Sequence, residues 1–165
     1  MTVNAFWDWS LSAYAHDPLK QHLLELQRVG DLVILEALFA CWLANRGVRL
    51  TTAAANHMSD ATRSWIDEVV VPLRATRERW KSAPELQSQR AHLLQIEVQA
   101  ERHLAELMWT SIPEKLDLHE RIAHSSDSDA GEAIMNENLL KLSLFRNGEY
   151  APERFQLVAL LLQAT

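Results

Sequence analysis

"LVILEALFACWLA", residues 32 to 44, is the stretch that decides the fold. It is shorter than the ~20 residues a membrane-spanning helix requires, and Glu36 interrupts it. It therefore reads as a helix buried in a protein core. The punctuation on either side is helical too. Gly30 stands just before the run and Gly47 just after it, and Gly148 follows a later apolar stretch. Each occupies the place where a left-handed residue ends a helix. Asp17-Pro18 supplies an N-cap followed by the proline preorganised for the first helical position. No Asn-Gly or Asp-Gly turn joins two alternating β-branched runs. The expectation is an all-α protein.

Caps and periodicity together predict helices over residues 5–15, 18–29, 32–46, 52–81, 84–110, 128–146 and 152–163. Pro72 removes an amide and crowds the preceding turn, so the helix over 52–81 should kink or split there. In the helix over 84–110, Leu86, Leu93, Ala100 and Leu107 share one stripe with Ile96, Leu104 and Met108 beside it, while Gln, Glu and Arg fill the opposite face. Residues 113–127 form the long connection, with one short turn at "LHERIAH". No repeat, linker or low-complexity block divides the chain. The reading is a single domain over 1–165, a compact bundle of about six or seven helices.

Outward from the apolar run, the most conspicuous block is "FWDWSLSAYA", residues 6 to 15. Trp7, Leu11 and Tyr14 fall at i, i+4 and i+7, and Phe6, Trp9 and Ala13 form an adjoining stripe, so aromatic groups cover a wide face. This helix is expected to pack across the apolar helix, against Phe39 and Trp42, with Trp7 and Tyr14 mainly in the core. The competing reading is a ligand or partner surface that includes Trp7 and Trp9. Asn4 and Asp8, with no base in residues 1 to 15, do not suit a secretory leader.

The chain has 165 residues, 48% of them hydrophobic. That is enough to hide roughly two-thirds of the unfolded surface. A net charge of −6 argues against a surface built as a whole for nucleic acid or anionic lipid. The single cysteine, Cys41, forbids an intrachain disulfide, and the cytoplasm is the expected compartment. No membrane association is expected.

Most familiar chemistries find no footing. None of the seven histidines has a Glu three residues before it, as a di-iron bundle needs. Glu97, Glu101 and His103 lie on a helix face otherwise made of Gln and Arg, which reads as solvated. "SSDSDAGE", residues 125 to 132, has Asp127 and Asp129 at calcium-loop spacing, yet Gly131 stands where a third ligand belongs. No metal and no cofactor is expected. Cys41 sits among apolar neighbours without a basic group, and a thiol buried in that way stays protonated. There is no nucleophile elbow, phosphate loop or dinucleotide fingerprint, so no catalytic residue is assigned.

Two features pass this filter. Glu36 lies within an apolar helix, where an ionised carboxylate must find a cation, find donors or take up a proton. It is read either as a buried functional carboxylate or as a capping or structural pair. In "PLRATRERWK", residues 72 to 81, Arg74, Arg77 and Lys81 share one face at i, i+3 and i+7, with Arg79 and Trp80 adjacent. Such a strip takes phosphate or carboxylate in bidentate fashion, or else is a solvated face laced to neighbouring acids.

The order of "FWDWSLSAYA", "LLELQ" (23–27), "LFACWLA" (38–44) with Gly47, and "VVVPLRATRERWK" (69–81) resembles a bacterial family of small helical proteins catalogued as a domain of unknown function. Val33, Ile34 and Leu35 stand where that family carries a polar Asp-Val-Asn stretch. The resemblance implies a compact bacterial helical protein and brings no reaction or ligand.

The leading functional expectation is a non-enzymatic cytoplasmic helical protein that acts by protein–protein interaction, as an adaptor or regulator. Its candidate surfaces are the aromatic first helix and the strip from Arg74 to Lys81. One alternative is a helical enzyme or carrier enclosing a small ligand beside Glu36, Trp7, Trp9 and Trp42. The other is contact with RNA or another polyanion through the arginine strip.

Overall fold

A computed structural model describes residues 1–112 and 128–164. The expected connection and the acidic loop up to Asp127 lie outside the described residues. Among the described residues there is no strand, and the fold is all-α. The chain forms two compact units, one of Met1–Asn56 with Ile112–Thr165, the other of His57–Ser111.

In the first unit, α1 (Val3–Tyr14) begins at Thr2, whose hydroxyl accepts from the Ala5 amide at 3.2 Å. α2 spans Asp17–Gly30 and α3 spans Ile34–Ala44. The apolar run is a buried helix, as its composition demands: every residue from Glu36 to Ala44 is buried. α1 does pack on α3, through Phe6, whose ring meets Phe39 edge-on at 4.8 Å and Trp42 at 5.5 Å. The buried stripe of α1 is Phe6, Ser10 and Ala13, one residue away from the expected Trp7, Leu11 and Tyr14. Leu11 is 50% exposed, and Trp7 and Tyr14 are half-buried. Small Ser10 and Ala13 let the helix approach closely, and the Ser10 hydroxyl turns back to donate to the Trp7 carbonyl at 2.8 Å. Periodicity offered both stripes, and close approach selected the one with small residues.

Asp17 is the first residue of α2 rather than its cap; His16 takes the cap position without a side-chain bond. At the other end, Gly30 is still helical and Asp31 is the left-handed residue, at φ 54. The glycine is there for space. A Cβ at Gly30 would come within 2.5 Å of Leu144 Cδ1 and 3.3 Å of Tyr150 Cζ. Gly47 and Gly148 do adopt positive φ, at 71 and 78, the conformation expected of helix-ending glycines.

α7 is Ser128–Leu139, much shorter than the expected helix over 128–146. Leu142 turns extended and Ser143–Phe145 forms a 3-10 turn, which buries Leu142 and Phe145 together. Arg146 donates from Nε to the Lys141 carbonyl at 2.8 Å, satisfying an acceptor left over where the helix stops. The C-terminal helix of the described chain, Ala151–Ala164, buries Leu157, Val158 and Leu161.

The second unit is an antiparallel helical hairpin. α4 (Thr52–Trp65), which belongs to this unit from His57 onward, passes through a π-helical turn, Ile66–Val70, into α5 (Val71–Arg79). The Val71 amide reaches back to the Ile66 carbonyl, an i to i−5 bond. This wide turn is the local response to Pro72, whose ring would otherwise clash with the carbonyl four residues before it. Two 3-10 turns, Trp80–Ser82 and Pro84–Leu86, reverse the chain into α6, Gln87–Ser111. Trp65 Nε1 donates to the Ala100 carbonyl at 2.9 Å, tying the two arms together. In order along the chain after α7, the helix Ala151–Ala164 is α8.

Candidate functional site

The strip from Arg74 to Lys81 divides on folding. Arg74 donates from Nε to Glu97 Oε1 at 3.1 Å and from Nη2 to Glu101 Oε1 at 2.8 Å. Arg77 bonds Glu97 through Nε and, at 3.4 Å, through Nη2, and also pairs with Glu78. Glu97 is only 4% exposed. The Glu97 bond holds the Arg77 guanidinium above the usual arginine range, while burial pushes the Glu101 carboxyl up despite Arg74. Lys81 and Arg79 are exposed. A polyanion at this strip would have to displace three carboxylates from Arg74 and Arg77. These arginines clamp α5 to α6, where a buried carboxylate needs charge-assisted partners.

Glu97 corrects the expected pattern of α6. The buried stripe is Glu97, Ala100, Leu104, Met108 and Ser111, with Ala105 beside it, while Ile96 is exposed and Leu86, Leu93 and Leu107 are only half-buried. The Gln and Arg neighbours of Glu97 concealed this. The signal that could have found it was the pair of arginines, Arg74 and Arg77, spaced to reach one residue on a facing helix.

Glu36 is buried in the first turn of α3, the end of the helix where the macrodipole favours an anion. Trp7 and Trp9 are half-buried on α1. Cys41 is fully buried and burial pushes its thiol well up, so it is a packing group rather than a nucleophile. Arg46 stacks over Trp42 at 4.0 Å, and burial lowers its pKa. Among the described residues, no three His, Cys, Asp or Glu side chains are grouped to hold a metal ion. Among the same residues, no helix is long and apolar enough to cross a membrane.

Two residues were missed by sequence reasoning alone. Asn138 of α7, fully buried, donates from Nδ2 to the carbonyls of Ala40 and Val48, both at 2.9 Å, and accepts from the Leu50 amide at 2.7 Å. It locks the segment after α3 against α7. The other is Phe155, the start of an exposed apolar stripe on α8. Phe155 is 54% exposed and Leu162 41%, with exposed Ala159 between them, at i, i+4 and i+7. From Phe155 to Ala164 the helix has no charge, and its exposed polar groups are Gln156 and Gln163. On the inward side, the Arg154 guanidinium lies 4.6 Å from the centre of the Phe155 ring and braces it. The stripe is thus an exposed apolar face on a helix whose opposite side, at Leu157, Val158 and Leu161, is buried.

The sequence model of the family described as "Protein of unknown function (DUF2390)" matches residues 5–108, more than half of the chain. No curated protein and no solved structure matches it.

Proposed function

The chain belongs to this family of unknown function, and on that premise we propose that it is a non-enzymatic helical protein acting by protein–protein interaction, as an adaptor or regulator in the bacterial cytoplasm. The observation that carries this reading is the α8 stripe of Phe155, Ala159 and Leu162, two large apolar groups and a small one on an uncharged outer face. The two surfaces read from sequence, Trp7 and Trp9 on α1 and the strip from Arg74 to Lys81, are partly engaged within the fold. Phe6 of the aromatic helix is engaged with Phe39 and Trp42, and Arg74 and Arg77 are engaged with Glu97. The expected compartment rests on Cys41, the single cysteine, which is a free thiol.

The test is affinity capture from the source cells with wild-type protein and with Phe155→Glu, followed by mass spectrometry. The reading expects a protein that co-purifies with wild type and is lost with Phe155→Glu, while the variant keeps its helical circular dichroism. Equal recovery by both forms would move the interaction away from α8. A small molecule recovered at one-to-one stoichiometry with both would replace this reading with the enclosed-ligand one.

A further inference from the structure

We propose that Arg154, in the first turn of α8, anchors a small-molecule site whose ligand is the carboxylate of a small organic acid. The arginine is buried, with 7% of its surface exposed, and its Nε is sealed from solvent without a hydrogen-bond acceptor. Burial alone lowers its pKa, with no carboxylate acting on it among the described residues. Other arginines of the fold are treated differently. Arg74 and Arg77 are more exposed and still hold Glu97, and half-buried Arg46 donates to the Trp42 carbonyl at 3.2 Å. An unpartnered buried charge is costly, and a counter-ion from outside the chain removes that cost.

The residues beside Arg154 do not supply the counter-ion. The Phe155 ring, 4.6 Å from the guanidinium, offers a π face but no acceptor atom, so Nε stays unbonded. Glu153 carries acceptors, yet its Oε2 is itself buried without a hydrogen-bond partner. His22 of α2 donates from Nε2 to the Glu153 carbonyl at 2.8 Å, so this turn of α8 is held against α2 while its arginine stays unpaired.

The class of ligand follows from the donors, the charge and the space. A planar fork of N–H donors fits an oxyanion in bidentate fashion. One positive charge beside the Glu153 carboxylate, in a chain of net charge −6, balances a monoanion and disfavours a dianion such as phosphate. So small an exposed area admits a small molecule rather than the surface of a folded partner. Such a ligand does not depend on the outer stripe of α8 holding a protein.

The test is a titration of the full chain with sodium acetate against sodium chloride at equal ionic strength. It follows the nitrogen–proton NMR signal of the Arg154 Nε–H, assigned by its loss in Arg154→Lys, at mildly acid pH where acetate stays ionised. Acetate should shift the signal saturably, with a dissociation constant on the order of 1–10 mM, and chloride should not. Acetate should also raise the melting midpoint of wild type, because it binds the folded state, and Arg154→Met should lose that rise. The absence of a saturable shift with acetate overturns the proposal. So does an equal acetate-dependent rise in Arg154→Met. Phosphate that shifts the signal at a lower concentration than acetate overturns the assignment to a carboxylate. If Arg154→Met fails to fold, the wild-type titration still decides.

Discussion

α3 and α8 are written in nearly the same way, yet the fold uses them differently. Each carries its charge in the first turn, Glu36 in one, Glu153 and Arg154 in the other, and none beyond it. α3 is enclosed on all sides from Glu36 to Ala44. Phe6 closes it from α1, and Asn138 of α7 takes the carbonyls of Ala40 and Val48. α8 buries Leu157, Val158 and Leu161 and leaves Phe155, Ala159 and Leu162 outside. Apolar composition thus marks a surface that must be covered; only the neighbours decide whether the same chain covers it.

The largest effect that would break this contrast belongs to α3. Phe39→Ala removes a fully buried ring that contacts both Phe6 and Trp42, and should cost ~3–5 kcal/mol in urea denaturation. A loss below ~1 kcal/mol would mean that the aromatic triplet is not the core of its unit. Glu97→Gln comes next. It leaves Arg74 and Arg77 charged around a neutral amide, and breaking a buried pair from one side costs ~3–5 kcal/mol at its upper range. An unchanged midpoint would show the arginines to be solvated, and would restore the strip as a candidate anion site.

Gly30→Ala sharpens the contrast at smaller scale. At a helical position without neighbours the change stabilises by ~0.4–1 kcal/mol. Here the new methyl group meets the tip of Leu144 and the Tyr150 ring, both half-buried side chains that must shift, and the expected result is that the gain is cancelled, a net change of about 0.5 kcal/mol or less. A gain in melting temperature would show that Leu144 yields freely.

Glu101 adds a pH dependence with a defined sign. Burial raises its folded-state pKa above the unfolded value, so within that window the folded protein binds the proton more readily. Its contribution to stability therefore falls as pH rises through the folded pKa, and is most favourable below the unfolded value. Wild type measured against Glu101→Gln should gain relative stability as the pH is lowered from neutral through the carboxylate range. A relative loss on acidification would show that Arg74 outweighs burial.

The helices themselves were legible in the sequence. The length of the apolar run, the place of Gly47 and Gly148 and the break announced by Pro72 all follow from backbone chemistry that acts within a few residues. What escaped depends on distant partners. Phe6 rather than Trp7 faces α3 because two small residues share its stripe. Glu97 is buried because Arg74 and Arg77 arrive from the opposing arm of a hairpin. The role of Asn138 rests on carbonyls about ninety residues away. The α8 stripe was legible as apolar but not as exposed, since exposure is set by what fails to cover it.

The smallest stability effect tests the contrast most directly. Phe155→Glu should leave the thermal midpoint within the range of an ordinary surface change, about 0.5 kcal/mol or less, while co-purification is lost. Melting and partner recovery measured on the same preparation of this variant are therefore decisive. An unchanged midpoint with lost recovery is the predicted result; a midpoint lowered as far as that of Phe39→Ala would make Phe155 a residue of the fold and contradict the assignment of α8 as a docking face.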